Sequence, residues 1–181
     1  NPELGFETLS QLADDVTDDI ASLAKSEFFK AFVIKGRQFN SNVVDNLFSN
    51  SAISNKLQQL FPGVNLNEYT VLTEVQLYTT NGFTKADILL VKKTGDQIDD
   101  IIYIENKLSK GTNFTQRQKE CLNIIKNEGQ LTVKASGGTL LPQNTIIDLN
   151  QSKCIKISDH GNPVISELTS GDIELIDFTP F

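Results

Sequence analysis

Apolar residues recur at two different periods along this chain, and the change of period divides it. Over residues 7–35, Leu9, Leu12, Val16, Ile20 and Leu23 return at spacings of three and four, which predicts an amphipathic helix with one buried stripe. Asp14, Asp15, Asp18 and Asp19 fall off that stripe and read as its solvated face. Gly36 is expected to stop the helix. A second helical pattern covers 41–61, from Val43, Val44, Leu47 and Phe48 to Ile53, Leu57, Leu60 and Phe61, with a division expected at Asn50-Ser51 and an end at Pro62-Gly63.

From Tyr69 the period falls to two. Val71, Thr73, Val75 and Leu77 are expected on one face of a strand, and Leu72, Glu74, Gln76 and Tyr78 on the other. Asn81-Gly82 signals a hairpin. A second strand is expected over 84–92, a polar turn over 94–100 around Gly95-Asp96, and a third strand over 101–107. The third is apolar on both faces up to Glu105, as for a strand covered on both sides. A helix then starts at 113–118, where Thr115 and Gln118 fit a capping box; Cys121, Leu122 and Ile125 form its inner face and Gly129 its stop. Short strand-like runs follow at 131–135, 145–149, 154–157 and 173–178, with turns at Gly137-Gly138 and 160–163. The expected fold is α+β (α/β): a mixed central sheet flanked by helices, with an N-terminal helical segment over 1–36 and the main domain over 37–181.

Composition adds boundaries to this picture. A chain of 181 residues, 39% hydrophobic and 22% charged, can bury a core without disulfides. No apolar run approaches the roughly 20 residues a membrane-spanning helix needs. Cys121 and Cys154 match no metal-knuckle spacing and are expected as small core residues. The sequence opens at Asn1 and holds no methionine, which reads as a processed piece of a longer product. The net charge of -7 argues against a nucleic-acid partner, yet residues 84–134 carry nine basic against seven acidic side chains, the only excess of positive charge along the chain. Phosphate binding needs local positive potential rather than a basic whole.

That same segment holds the candidate chemistry. Glu105 and Lys107, two residues apart on a strand, share a face, while Asn106 points away. Asp87 interrupts the apolar run of the neighbouring strand, and Glu74 does so one strand earlier. Three carboxylates in apolar surroundings are costly unless something neutralises them. A divalent cation would do so, with Lys107 assisting. Hard carboxylate oxygens suit Mg2+ or Mn2+, with Zn2+ also admissible, and such a metal acidifies water and offsets charge on a phosphodiester under attack. A nearby lysine can orient the water and stabilise the phosphoryl group. Lys85, Lys92, Lys93, Lys110, Arg117 and Lys119 are candidate phosphate contacts, and Thr112 and Asn113 candidate loop contacts. His160 is the single histidine, which excludes a multi-histidine metal nuclease or a two-histidine ribonuclease. Asp159-His160-Gly161 reads as a polar turn. No phosphate-binding loop or nucleophile elbow is present.

Asp87, then Glu105-Asn106-Lys107 on the next strand, then a helix bearing Gln116 and Gln118, resembles the PD-(D/E)XK nuclease superfamily over residues 40–150. The resemblance implies an αβββαβ core of the restriction-endonuclease type. It implies metal ligation by Asp87 and Glu105 with Glu74 as an extra upstream acid, a catalytic Lys107, and a substrate or site contact by Gln118 or Gln116. Ala86 replaces the eponymous proline, and the spacing from Asp87 to Glu105 is long, absorbed by the turn at 96–100. A second resemblance is to the C-terminal nuclease toxin domains of contact-dependent growth inhibition and related polymorphic toxin systems. It implies release from a larger surface protein, with 1–36 as an entry or linker region. Action would be in a target cell's cytoplasm on DNA or tRNA, DNA slightly favoured, with a cognate immunity protein as partner. The alternatives are a restriction or repair endonuclease and a non-catalytic protein-binding module on the same fold.

Overall fold

A computed structural model describes residues 26–28, 30–31, 33–160 and 168–181; the stripe from Leu9 to Leu23 and the turn residues 161–163 lie outside them. Residues 33–46 form helix α1. It runs through Gly36, correcting the expected stop. A lone helical glycine costs about 1 kcal/mol relative to alanine, which the apolar stripe Phe39, Val43 and Leu47 outweighs, since all three are buried at roughly 1.5–3 kcal/mol each. The expected division is present: Asn50 caps α2 (Ser51–Leu60), its side-chain oxygen accepting from the Ile53 amide at 3.1 Å. The chain turns at Pro62-Gly63.

Among the described residues seven strands follow: β1 (Thr70–Thr79), β2 (Gly82–Thr94), β3 (Gln97–Lys107), β4 (Gln130–Ala135), β5 (Ile146–Asp148), β6 (Cys154–Ser158) and β7 (Ile173–Leu175). Helix α3 (Gln116–Glu128) lies between β3 and β4. The sheet order is β5-β4-β1-β2-β3-β6-β7, antiparallel throughout except for the parallel pair β3–β6. The fold is thus α+β with a mixed sheet. The first hairpin closes through Thr80 and Asn81, with Thr79 opposite Gly82. The second turn is tighter than expected, because Thr94 pairs with Gln97 and residues 97–100 belong to β3. Longer strands, rather than a long turn, therefore absorb the spacing from Asp87 to Glu105.

Each sheet face carries its own core. On one face α3 covers Val75, Leu77, Ala86, Leu89, Val91, Ile101 and Tyr103, with Cys121 and Cys154 buried among them as free thiols. On the other, α1 and α2 cover Ile88, Leu90, Ile102, Ile104, Ile155 and Ile157. The alternation of β1 and β2 breaks at one level. Ile88 and Ala86 are two residues apart yet serve opposite cores, as do Val71 and Val75 at an even step. Between them, Thr73 pairs with Ile88 and Val75 with Ala86, while Glu74 and Asp87 form no ladder pair. Glu74 adopts φ +53°, a left-handed conformation rare for a side chain other than glycine. The face swap expected to be absent from a regular strand is caused by this kink.

Candidate active site

The β2–β3 ladder ends at Ile88–Ile104, so Asp87 and Glu105 lie where the two strands part. Their carboxyl groups are hydrogen-bond neighbours. Glu105 is fully buried, and its other contacts are the Tyr103 hydroxyl, which donates to Oε1, and Gln118 Nε2, which donates to Oε2 at 3.2 Å. Asp87 accepts from the Asn106 amide at 2.7 Å and from Asn40 Nδ2 at 3.1 Å. Asn106 Nδ2 in turn donates to Asn40 Oδ1 at 3.0 Å. Burial, and then the repulsion of Asp87, pushes the Glu105 carboxyl well above its ordinary value. Burial also raises that of Asp87, against the hydrogen bonds it accepts.

Lys107 continues the face of Glu105. Its Nζ donates to Gln118 Oε1 at 2.6 Å and to the Asn113 carbonyl at 3.4 Å, and sits 4.9 Å above the Phe114 ring. Burial lowers its pKa, opposed by the charges of Glu105 and Asp87. Gln118 joins these groups because of the helix start. It is the third residue of the capping box, its Oε1 accepting from the Thr115 amide at 2.9 Å while its own amide donates to Thr115 Oγ1. The cap fixes Gln118 between Glu105 and Lys107, so a local helix signal also sets the site's geometry.

Glu74 departs from expectation. It is exposed, so it bears no burial cost, and it lines a cavity of about 260 Å³ with Asp87, Thr73, Arg37, Asn40 and Ser41. Among the described residues no group of three or more His, Cys, Asp or Glu side chains is drawn tightly enough together to hold a metal ion. The convergent set is the pair Asp87–Glu105. The donor chemistry of that pair fits a divalent cation, which would relieve both burial and mutual repulsion. The buried, unpartnered Asn106 Oδ1 is a further hard oxygen on the α1 side.

The expected substrate contacts scatter. Lys85 is exposed on β2. Arg117 is held by Glu120 at 3.1 Å, and Glu120 also accepts from Thr79 and Asn81, ties that pin the hairpin to α3 and bring its carboxyl down to about 2, the Asn81 hydrogen bond foremost. Lys110 faces Asp172 at 3.8 Å, Thr112 bonds Ser109, and Gln116 is exposed at the first turn of α3. Lys92 pairs with Glu68 and Lys93 with the Leu140 carbonyl. Three residues of the site carried no sequence signal: Tyr103, Asn40 and Asn106. Asn106 does point away from Glu105 and Lys107, as its parity demands, but its backbone amide holds Asp87.

No family model, curated protein or solved structure matches this chain.

Proposed function

We propose that the chain is a metal-dependent endonuclease hydrolysing phosphodiester bonds in nucleic acid. The observation that carries the reading is the convergence of the buried Glu105 carboxyl and the half-buried Asp87 carboxyl, on parting strands, with a lysine held beside them by a glutamine that contacts both Glu105 and Lys107. A carboxyl pair whose pKa values are driven up has no structural benefit in isolation, and such perturbation concentrates at functional sites. Asp87 and Glu105 would hold Mg2+ or Mn2+, and Glu74 lines the same cavity as Asp87. The metal would supply Lewis acidity toward the phosphoryl oxygen and lower the pKa of bound water. Lys107 orients the attacking water and donates to a non-bridging oxygen of the phosphate. Gln118 bridges the ammonium and Glu105. Tyr103 and Asn40 hold the carboxylates in place.

The resemblance to polymorphic toxin domains supplies a setting: a nuclease delivered to a target cell and neutralised by an immunity protein, with restriction or repair as the competing setting. The test of the activity is incubation with plasmid DNA and with total tRNA in Mn2+ or Mg2+. Cleavage of at least one pool is expected, abolished by EDTA and by Lys107→Ala. Cleavage surviving both would sink the mechanism. No cleavage, together with no rise in melting temperature on adding either ion, would favour the binding-module reading.

A further inference from the structure

The β1–β2 hairpin continues beyond the cavity as an open sheet face. Val75, Leu77 and Ala86 point into the α3 core, so Gln76, Tyr78, Phe83 and Lys85 point to the other side. Tyr78 and Phe83 are cross-strand partners, as are Gln76 and Lys85. Both rings are 39% exposed. Lys134, on the adjoining β4, stands 4.6 Å over the Phe83 ring and reaches Gln76 Oε1 at 3.4 Å. Steps of two lead from Glu74 to Gln76 and Tyr78, and from Asp87 to Lys85 and Phe83, so the face is continuous with the cavity wall. Phe83 lies about 13 Å along the strand from Asp87, within reach of a short run of nucleotides.

We propose that this face is a stacking platform for unpaired nucleobases, so that the substrate is a single strand or the unpaired segment of a folded nucleic acid. Two exposed aromatic rings on paired strands, with Lys85 and Lys134 beside them, offer what unpaired bases and their phosphates require. Residues 75–86 and 130–135 contain no acidic side chain, in a chain of net charge -7. Glu120 sits at the turn but is held on the α3 side by Arg117, Asn81 and Thr79. A duplex stacks its base faces inside the helix and offers only their edges in its grooves, so two exposed rings can stack only on bases that are unpaired. A protein partner fits less well, because lysine is depleted in protein interfaces. The inference rests on the nuclease reading only for its link to cleavage.

The chain has no tryptophan, so Phe83→Trp installs a unique fluorophore in the platform. In the full chain also carrying Lys107→Ala, unstructured oligo-dT and oligo-rU are titrated beside a duplex of equal length. Quenching by one or both single strands and none by the duplex is the expected result; the two single-strand arms separate DNA from RNA. Adding Tyr78→Ala should weaken single-strand binding about ten-fold, and Tyr78→Phe should retain it. Equal quenching by the duplex, or an unchanged affinity in Tyr78→Ala, overturns the platform. If the wild type cleaves nucleic acid but no oligonucleotide quenches, the platform falls, the nuclease stands, and the face is left to a protein partner. If quenching occurs but the wild type cleaves nothing, the platform stands as a single-strand-binding surface and the nuclease reading falls. Both side chains are exposed, so melting temperatures unchanged by the substitutions separate lost contacts from lost fold.

Discussion

Two acidic groups in this molecule are equally hidden and oppositely poised. Asp172 is 2% exposed and Glu105 0%. Burial presses both carboxyls upward, and their surroundings decide the outcome. Asp172 accepts from the Thr169 amide at 2.7 Å and its hydroxyl at 3.1 Å, with His160 Nε2 at 2.8 Å and Lys110 at 3.8 Å. The Thr169 and His160 donors overcome the burial and leave its pKa below the ordinary value. Glu105 has two neutral donors and a second carboxyl beside it, and its pKa rises. Depth alone therefore does not mark a functional acid. A buried carboxylate surrounded by donors is already compensated by the fold, whereas the Glu105 carboxyl, beside Asp87, is not.

The comparison breaks most sharply in cleavage. Glu105→Gln and Lys107→Ala should each lower the cleavage rate by about 10³-fold, within the range assigned to proton transfer and charge stabilisation. Asp172→Asn should leave it unchanged in the same assay. Equal losses in Glu105→Gln and Asp172→Asn would erase the distinction drawn between the two acids. A smaller effect is expected at Asn40, whose amide holds Asp87 and Asn106 together. Asn40→Ala should weaken Mn2+ affinity, measured by titration calorimetry, by roughly 10–100-fold, as for other residues that orient metal ligands.

How much of this was legible in the sequence depends on whether the cause was local. The period-two runs, the capping box of Thr115 and Gln118, the stop at Gly129 and the pairing of Glu105 with Lys107 on one face are consequences of near neighbours, and the structure has them. The kink at Glu74 is a property of two strands together: it appears where Glu74 and Asp87 fail to pair, and no local rule reverses the parity of β1 there. Gly36 was read as a stop because glycine weakens a helix, but the packing of Phe39, Val43 and Leu47 overrides that preference. Asn40 and Tyr103 entered the site from far away in sequence or from inside an apolar run. Asp172 was invisible for the same reason, since its partners His160 and Lys110 are brought to it by β6 and by the loop after β3.

Stability should separate the two acids in sign. Asp172→Asn removes a buried carboxylate that accepts from Thr169 and His160 and should cost about 1–3 kcal/mol in urea denaturation. Glu105→Gln removes a charge that burial disfavours and should leave the metal-free protein as stable or more so. A loss in Glu105→Gln comparable to that in Asp172→Asn would show that Glu105 is already compensated in the fold.

The smallest effect, and the one that tests the physical cause directly, is the dependence on pH. For Asp172 the folded pKa lies below the unfolded one. Its stabilisation is present above the unfolded value of about 3.9 and is lost as pH falls through the folded value. For Glu105 the folded pKa lies above the unfolded one. Its stabilisation is complete below about 4.3 and is lost as pH rises through the folded value. In metal-free protein the gap between wild type and Asp172→Asn should therefore narrow in acid, and the gap between Glu105→Gln and wild type should widen toward neutral pH. Each group can contribute at most about 1.4 kcal/mol per pH unit. If the pair holds a divalent cation as proposed, the cation binds its ionised form, so its addition should flatten the second slope while leaving the first untouched. If Mn2+ left the slope of the wild type unaltered between acid and neutral pH, the carboxyl pair at the fork would not be the place where a cation binds.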